Sequence, residues 1–261
     1  MIEDKVSKSL VKYALLSCFL CLSGCSATTH TTDDSSALDK YNHTMFNINQ
    51  KIDKAVIRPV AKGYRAITND FIRQRVTNFF NNVSEPVSAA NHILQGEFHD
   101  SAQNIGRFMI NTVVGGAGLF DVASKVGLEQ KKTGFDETLS AWCVPDGPYI
   151  ILPIMGPSTP RALTGLVADG YSAPAYWIIK DEGDNKAMLA YYGATGLKYL
   201  NLMAENLPLL ESLEEGSVDY YEAMKSSYLQ NRSKLRKCRY QAMTDAIPDY
   251  DFNMDDDEFD D

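Results

Sequence analysis

Histidines are the side chains best suited to acid–base or metal chemistry, and this sequence has four: His30, His43, His92 and His99. Zinc sites place their ligands at short, fixed spacings such as H-E-x-x-H, and no such spacing occurs here. His92 and His99 flank a predicted turn at Gly96, where helix capping or exposure to solvent is the simpler interpretation. The histidines therefore predict neither a metal site nor a catalytic base.

Motifs for a nucleophile or for a bound phosphate group are also missing. The sequence contains no G-x-S-x-G turn. Gly115, Gly116 and Gly118 form a glycine-rich run, but the Lys-Ser/Thr pair of a phosphate-binding loop does not follow it. A hinge or close backbone packing is what these glycines favour. No pair of carboxylates stands out as an acid and a base, so we expect neither an enzyme nor a bound cofactor.

Cys25 is the residue whose surroundings do predict chemistry. Three lysines within residues 1–12 precede an apolar run over residues 13–22. That run is too short to span the ~30 Å hydrocarbon core of a membrane and is typical of a signal peptide. It ends in Leu-Ser-Gly-Cys, which resembles the lipobox of bacterial lipoproteins, where small residues fit the peptidase and the thiol accepts a diacylglycerol group. We therefore predict a cleaved signal peptide over residues 1–24 and lipidation of Cys25.

Lipids on Cys25 would hold the chain on a membrane, because two or more acyl chains anchor stably at ~0.8 kcal/mol per buried CH₂. Ser26 rather than Asp follows the cysteine, and by resemblance to lipoprotein sorting this favours the outer membrane. The alternative is an ordinary secretory signal with a chance cysteine. Cys18 and Cys21 form a C-x-x-C, but both lie in the predicted leader, so we expect no redox role for them.

The remaining chain is predicted to contain a tether, one domain and a tail. Residues 25–37 carry the lipidated cysteine and a small, polar, flexible tether, and residues 38–240 form the domain. Residues 241–261 are acidic and predicted to be disordered, either as a solvated end or as an electrostatic lure for a basic partner. The formal net charge is −9, and no basic stripe points to nucleic acid.

Apolar residues after residue 37 recur mainly at helical spacing. Three stripes run over residues 41–56, 72–87 and 98–113, and Pro59 should end or kink the first helix. Further helices are predicted over residues 186–204 and 217–236. The predicted helix-start residues are the cap candidates Thr68, Asn69 and Asp70, the pair Thr159-Pro160, and Ser217.

An irregular insert is predicted over residues 107–144, opened by the glycine run, and residues 149–152 could form a short extended piece. The expected fold class is therefore mainly α, with a single helical domain and one long insert. For most of the aromatic residues, an ordinary apolar core is the simpler interpretation.

Cys143 and Cys238 are the cysteines that remain besides the predicted anchor. A disulfide between them would fit an oxidising compartment. They are far apart in sequence, and the sequence alone does not show that their Cα atoms lie within the ~7 Å that a disulfide requires. Both the bonded and the free state stay open at this point.

Residues 38–235 resemble the MlaA (VacJ) family of outer-membrane lipoproteins. The segments that match in order are LDKYNHTMFNIN (38–49), RPVA (58–61), NNVSEP (81–86), LQG (94–96), RFMINT (107–112), GLFDVA (118–123), FDETL (135–139), GPY (147–149) and LPIMGPST (152–159). Three positions depart from the family pattern: Ala37 replaces a proline, Cys143 replaces a glycine after Trp142, and Ala162 replaces an aspartate. These departures put local turn geometry in doubt.

The resemblance implies a ring-like helical domain in the periplasm-facing leaflet of the outer membrane, with a central amphipathic channel. Proteins of this family remove mislocalised phospholipids from the outer leaflet and pass them to a periplasmic phospholipid carrier of the MlaC type, and they sit against trimeric porins. The resemblance also implies that the insert over residues 107–144, which Gly115, Gly116 and Gly118 open, is a hairpin beside the channel, and we predict that it moves as lipid passes. Asn47 and Asn49 are polar without fixed charge and are candidates for the lipid path.

Two other classes of function remain open at the level of sequence. One is a structural lipoprotein that scaffolds an envelope complex. The other is a periplasmic hydrolase that acts on lipids, although no residue is indicated as its catalyst. Outer-leaflet phospholipid in a deletion strain separates transport from scaffolding, because a scaffold alone would leave lipid asymmetry intact.

Overall fold

The computed structural model describes residues 32–173, 176–177, 179, 185–234 and 238. Cys18, Cys21 and Cys25, the predicted leader, most of the predicted tether and the acidic tail lie outside the described residues. The chain separates into two compact units, Met1–Thr44 and Met45–Asp261. Apart from the first part of the first helix, Thr32–Ile52, the elements and contacts described below belong to the second unit.

Helices make up most of the described chain, which confirms the mainly α fold class. In chain order the elements are α1 (Thr32–Ile52), a π-helical turn (Asp53–Ile57), α2 (Arg58–Ile67), α3 (Asp70–Gln95), α4 (Phe98–Val113), a 3₁₀ turn (Ala123–Val126), α5 (Phe135–Ala141), β1 (Ile150–Leu152), β2 (Gly156–Ser158), α6 (Pro160–Ser172), α7 (Asn185–Gly216) and α8 (Tyr220–Lys234). β1 and β2 pair antiparallel, with Ile151 opposite Pro157. Within the described segments, none of the helices has the length and apolar character that crossing a membrane requires.

Capping residues fix most of the predicted helix starts. Asn69 Oδ1 accepts a hydrogen bond from the Ile72 N–H at 2.9 Å, and Thr159 Oγ1 accepts one from the Ala162 N–H at 3.2 Å. Both predicted caps are therefore confirmed, and the cap at Thr159 forms even though Ala162 departs from the family pattern. Pro59 lies in the first turn of α2, directly after the π-helical turn, so the predicted break is confirmed as well.

Ser217 was the wrong choice for the start of α8. Asp219 is the capping residue: its Oδ1 accepts from the N–H groups of Tyr221 and Glu222 at 2.9 and 3.2 Å. A carboxylate at this position also interacts favourably with the positive end of the helix dipole, which a serine hydroxyl does less strongly.

The apolar stripe of α4 faces outward, not into a core. Phe98, Met109 and Val113 are 69%, 60% and 81% exposed. The buried residues of α4 are instead Ser101, Asn104, Arg107 and Asn111. The predicted stripe therefore exists, but its polar counterpart is the face that packs against the rest of the protein.

α3 likewise buries its polar face and exposes its apolar face, an arrangement called inverted packing below. Its buried residues are almost all polar: Arg73, Asn82, Glu85, Ser88, Ala89, Asn91, His92 and Gln95. Apolar residues of α3 that are exposed include Phe71, Ile72, Phe79 and Val83. Because most folded proteins bury their large apolar side chains, two neighbouring helices with this inversion are unusual.

Among the described residues the apolar core is correspondingly small. Its cluster between α2 and α7 is formed by Ala61, Ala204 and Leu207, with Tyr64, Leu200 and Met203 packed against it. The other buried apolar residues are Ala89, Ala123, Ile151 and Tyr221. Among the described aromatic residues, only Tyr221 is fully buried. The expectation of an ordinary core for most aromatic residues was therefore wrong.

Candidate functional site

An ion pair lies between the buried polar faces of α3 and α4. Arg107 Nε donates to Glu85 Oε1 at 2.9 Å, and both side chains are only 2% exposed. One turn away, Asn82 Nδ2 donates to Thr112 Oγ1 at 2.9 Å. Removing two charges from water is costly, so a buried pair of this kind persists only where further hydrogen bonds satisfy both groups.

The segment between α4 and α5 supplies those further hydrogen bonds. The predicted bounds of the insert were too wide, because residues 107–113 still belong to α4 and residues 135–141 form α5, and the name insert is kept below for residues 114–134. The Arg107 guanidinium also donates to Asp121 Oδ1 at 3.1 Å, to Ser124 Oγ at 3.0 Å and to the Leu128 carbonyl. Gln130 completes the other side of the pair by donating to Glu85 Oε1 at 3.0 Å. The insert is thus fastened to the seam between α3 and α4.

Asp121 is the acidic residue of the insert that this network holds in its charged form. Burial raises the pKa of its carboxyl group, but hydrogen bonds from Ser124, Asn111 and Arg107 outweigh that effect, so the pKa lies below its ordinary value. Asn111 in addition accepts from the Ala123 N–H at 2.9 Å. The polar stripe of α4 therefore orders the start of the 3₁₀ turn.

The predicted glycine run forms a tight turn at the end of α4, and close packing explains two of its glycines. A Cβ atom on Gly118 would lie 2.5 Å from Asn82 Cβ, and one on Gly115 would lie 2.3 Å from the Phe120 carbonyl oxygen. Gly116 has a positive φ of 62°, and a Cβ atom there would meet nothing within 4 Å. Gly115 and Gly118 thus allow the turn to pack closely against α4 and α3, whereas Gly116 adopts the left-handed backbone conformation that the turn requires.

Arg75 of α3 holds this turn against α3 through contacts with Phe120 and the Leu119 carbonyl. Its guanidinium carbon lies 4.6 Å from the ring centroids of both Phe71 and Phe120, which is cation–π geometry. Arg75 Nη1 donates to the Leu119 carbonyl at 3.1 Å, and Asn78 Nδ2 donates to the same oxygen at 3.1 Å. Any movement of the turn away from α3 must break these contacts.

A second charge network joins α5, α6 and α8. Arg161 contacts Asp136 at 2.8 Å and Asp146 at 2.6 Å. Arg232 forms salt bridges with the same two carboxylates, and Arg161 Nη1 donates to the Val144 carbonyl at 2.8 Å. Two cations therefore meet two anions in a largely buried cluster, which ties the last described helix to the middle of the chain.

The charges of this second network stabilise one another. Burial raises the pKa of Asp136, but hydrogen bonds from Arg232 and Arg161 outweigh it, and the pKa is lowered overall. Burial also opposes the charge on Arg232, yet its two carboxylate partners raise the pKa of the guanidinium. Both arginines thus act as fixed counter-charges for the two carboxylates.

The two asparagines predicted for the lipid path have different surroundings. Asn49 holds the β hairpin, because its Nδ2 donates to the Leu152 carbonyl at 2.9 Å and its Oδ1 accepts from the Ile154 N–H at 2.8 Å. Asn47 is exposed on α1. Asn49 thus has a structural role, and the assignment of Asn47 and Asn49 to a lipid path stays a prediction. Asn49 contacts the hairpin formed by β1 and β2, whereas Gly118 packs against α3. The candidate lipid-path residue Asn49 and the glycine turn are therefore two separate sites.

Cys143 and Cys238 are joined by a disulfide, with their Cα atoms 4.7 Å apart. Cys143 has a positive φ of 61°, a conformation that glycine adopts readily and other residues at a cost. Glycine, which the resemblance predicts at this position, would adopt this conformation without strain. In this chain the cysteine accepts the strained conformation and gains a covalent link to the segment that follows α8.

The prediction that His92 caps a helix or faces solvent is wrong. His99 is exposed, as predicted, but His92 is almost fully buried in the last turn of α3, and its ring contacts Glu97 and the Lys131 carbonyl. Gly96 does form the predicted turn, with a positive φ of 74°. The sequence also missed both charge networks. Their signal was the regular polar spacing Ser101, Asn104, Arg107 and Asn111, opposite the apolar stripe of α4.

Comparisons with known proteins give a consistent family. A family model described as MlaA lipoprotein matches residues 34–235. A Haemophilus influenzae protein named intermembrane phospholipid transport system lipoprotein MlaA is 32% identical over 244 residues, which cover 90% of this chain and 94% of that protein. An Escherichia coli protein of the same name is 33% identical over 162 residues, covering 60% of this chain and 64% of its own length.

A solved structure is similar in fold as well as in sequence. It is described as the structural basis for maintenance of bacterial outer membrane lipid asymmetry and is 28% identical to this chain, with a TM-score of 0.62. The match covers 76% of this chain and 98% of that one. The chain belongs to the MlaA lipoprotein family.

Proposed function

We propose that this protein is an outer-membrane lipoprotein that removes mislocalised phospholipids from the outer leaflet and passes them to a periplasmic lipid carrier. Family membership supports transport rather than catalysis, because the Haemophilus and Escherichia relatives are named as components of an intermembrane phospholipid transport system. The related solved structure is described in terms of outer-membrane lipid asymmetry.

The inverted packing of α3 and α4 is the observation that carries this proposal. Their polar residues are buried against each other, while Phe98, Met109 and Val113 stay exposed. In hydrocarbon this arrangement is favourable, because polar groups must find partners inside the protein and apolar side chains lose nothing by facing lipid. In water the same surface would be a liability. We infer that this part of the protein lies in the periplasm-facing leaflet.

A lipid headgroup that crosses such a protein needs a polar path without strong counter-charges. The cations of the described networks fit this requirement, since Arg107, Arg161 and Arg232 are buried and neutralised by carboxylates. The ring-like form with a central amphipathic channel, and Asn47 on its lining, are part of the proposal. A fixed, unpaired charge on the path would bind a phosphate group and retain it.

The glycine turn at the end of α4 is the proposed gate. Arg75 and Asn78 hold its closed position through the Leu119 carbonyl, and Gly118 packs on Asn82. Lipid passage would release the contacts at Leu119 while the Arg107 network keeps the rest of the insert attached. The gate therefore moves as a short segment and not as the whole insert.

The partners proposed are a trimeric porin and a periplasmic carrier of the MlaC type, with Cys25 lipidated as the anchor. The experiment is a deletion strain complemented with variants, in which outer-leaflet phospholipid is measured. Deletion should raise outer-leaflet phospholipid, and the intact gene should restore it. An unchanged level on deletion would favour the scaffold, and release of fatty acids from phospholipid by the purified protein would favour the hydrolase.

The membrane placement has its own test in the Cys25→Ala form, which lacks the lipid anchor. This form should still bind vesicles of phosphatidylethanolamine and phosphatidylglycerol. Met109→Glu should weaken that binding, because a charge on the apolar face disfavours insertion. Ser227→Glu adds a charge at an exposed polar position of α8 and is the matched control. A Cys25→Ala form that remained a soluble monomer would contradict the embedding.

A further inference from the structure

One group of potential metal ligands stands outside the two charge networks. His92 ends α3, and Glu97 and Asp100 lie at the start of α4. One ligand atom from each of the three side chains lies within 4.8 Å of the other two. The imidazole is buried and the two carboxylates are partly exposed, so solvent reaches the group from one side.

The hydrogen bonds of His92 fix which ring nitrogen carries a proton. Nε2 lies 3.2 Å from the Lys131 carbonyl oxygen, which can only accept, so Nε2 is the donor. In a neutral imidazole Nδ1 then has a lone pair and no proton. Nδ1 lies 2.8 Å from Glu97 Oε2, a distance that either a proton or a metal ion can bridge.

The surroundings of the His92 ring fit a metal ion at Nδ1. Histidines that bind metals commonly donate their other N–H to a backbone carbonyl, which orients the ring. The Lys131 carbonyl that receives this bond is held by a second donor, Asn104 Nδ2, at 2.8 Å. Asp100 supplies the second carboxylate. A neutral imidazole and two carboxylates together match the charge of a divalent ion.

We propose that His92 Nδ1, Glu97 and Asp100 form a binding site for a divalent transition-metal ion of the zinc type. Zinc takes nitrogen and oxygen ligands at about 2.0–2.2 Å in tetrahedral geometry, so two ligand atoms of one ion lie about 3.3–3.6 Å apart, and the three atoms here would have to close in by up to about 1.5 Å. Three protein ligands leave one position for water. The sequence predicted no metal site, so the proposal corrects that prediction, and it does not depend on the transport function.

The site would act as a structural clamp. It joins the last turn of α3 to the first turn of α4 through its ligands. Through the Lys131 carbonyl it also reaches the loop before α5, where Thr133 accepts hydrogen bonds from Ser88 and Gln95 of α3. Metal binding should therefore stabilise the corner between α3 and α4 together with this loop.

The test uses the full chain, purified in detergent without a polyhistidine tag and freed of metal with a chelator. Isothermal titration with Zn²⁺ should show one ion per chain, and Zn²⁺ should raise the melting temperature. Asp100→Asn and Glu97→Gln should each weaken Zn²⁺ binding about tenfold or more, with helical content retained by circular dichroism. Asp100→Asn is the more informative of the two because Glu97 also contacts the buried His92 ring, whereas Asp100 contacts the exposed His99.

His43→Gln is the matched control, since His43 lies outside the cluster, and it should bind Zn²⁺ like the unchanged chain. Co²⁺ provides a second readout, because its visible absorption reports the ligand set and should change in Asp100→Asn. Absence of stoichiometric binding would overturn the proposal, as would equal binding by all three variants. A doubly protonated His92 ring in the metal-treated protein, seen by nuclear magnetic resonance at neutral pH, would overturn it too, in favour of an imidazolium–carboxylate pair.

Discussion

Arg107 and Glu85 meet between α4 and α3 with Nε and Oε1 2.9 Å apart, and neither side chain reaches solvent. The two most closely associated helices of the inverted region are thus joined by an ion pair where most proteins place leucine or valine. The pair links residues that are 22 positions apart in sequence. It is therefore a tertiary contact, and its loss should weaken the packing of α3 against α4 and the attachment of the insert.

Removing one partner of this pair should be far more harmful than removing an exposed one. Glu85→Gln leaves the Arg107 charge buried and partly uncompensated, so we expect unfolding to become easier by about 3–5 kcal/mol. Lys62→Gln removes an exposed partner of Glu211 and should cost less than about 1 kcal/mol. Urea unfolding in detergent measures both. Equal losses in the two variants would mean that the buried pair contributes no more than an exposed one.

The glycine turn should tolerate a methyl group poorly at Gly118. A Cβ atom there would lie 2.5 Å from Asn82 Cβ, and the backbone has a positive φ of 88°, so Gly118→Ala should cost about 2 kcal/mol or more. Gly63→Ala is the matched control, because Gly63 lies in α2 with open space around it. That change should stabilise the helix by up to about 1 kcal/mol. The melting temperatures of the two variants should move in opposite directions.

The disulfide should contribute strongly, since it closes a loop of 95 residues. Replacing both cysteines by serine should lower stability by up to about 4–5 kcal/mol in the chain-entropy model. Cys143→Gly combined with Cys238→Ser should recover about 1 kcal/mol of that loss, because glycine adopts the positive φ at residue 143 without strain. Thermal melts without reductant compare the two double variants. Identical melting temperatures would show that the backbone at residue 143 is not strained.

Stability should fall in acid because of Asp121 and Asp136. The pKa of each carboxyl group is lowered in the folded protein, so its contribution is present above the unfolded value of about 3.9 and is lost as pH falls through the lower folded value. Asp169 has a raised pKa, mainly through burial, and acts in the opposite direction as pH rises above about 4. Asp136→Asn should therefore flatten the dependence of unfolding free energy on pH below about 4. An unchanged slope would contradict this assignment.

Local features of the fold were predictable from the sequence. Asn69 and Thr159 each accept a hydrogen bond from the N–H group three residues further along the chain. Both caps can therefore be recognised from a few consecutive residues. Pro59 acts locally as well. The start of α8 was misplaced by two residues because both Ser217 and Asp219 are good caps, and sequence alone does not show which of them the backbone places at the helix end.

The orientation of the helices was not predictable in the same way. An amphipathic stripe shows that a helix has two faces, but which face packs inward depends on the solvent around the domain. The networks of Arg107 and Arg232 join residues up to 96 positions apart, which no local pattern reveals. His92 was missed for the same reason: its buried position depends on the Lys131 carbonyl, which the fold brings to it from the loop before α5.

The outward apolar stripes of α3 and α4 also determine how this chain must be handled before it meets a bilayer. Folding usually hides apolar surface from water, so a folded protein aggregates less than its unfolded chain. Here Phe98, Met109 and Val113 stay exposed after folding is complete. Reaching the native state therefore does not end the tendency to aggregate. We therefore expect the folded form to need an amphiphilic partner wherever it is surrounded by water, and detergent from extraction onward.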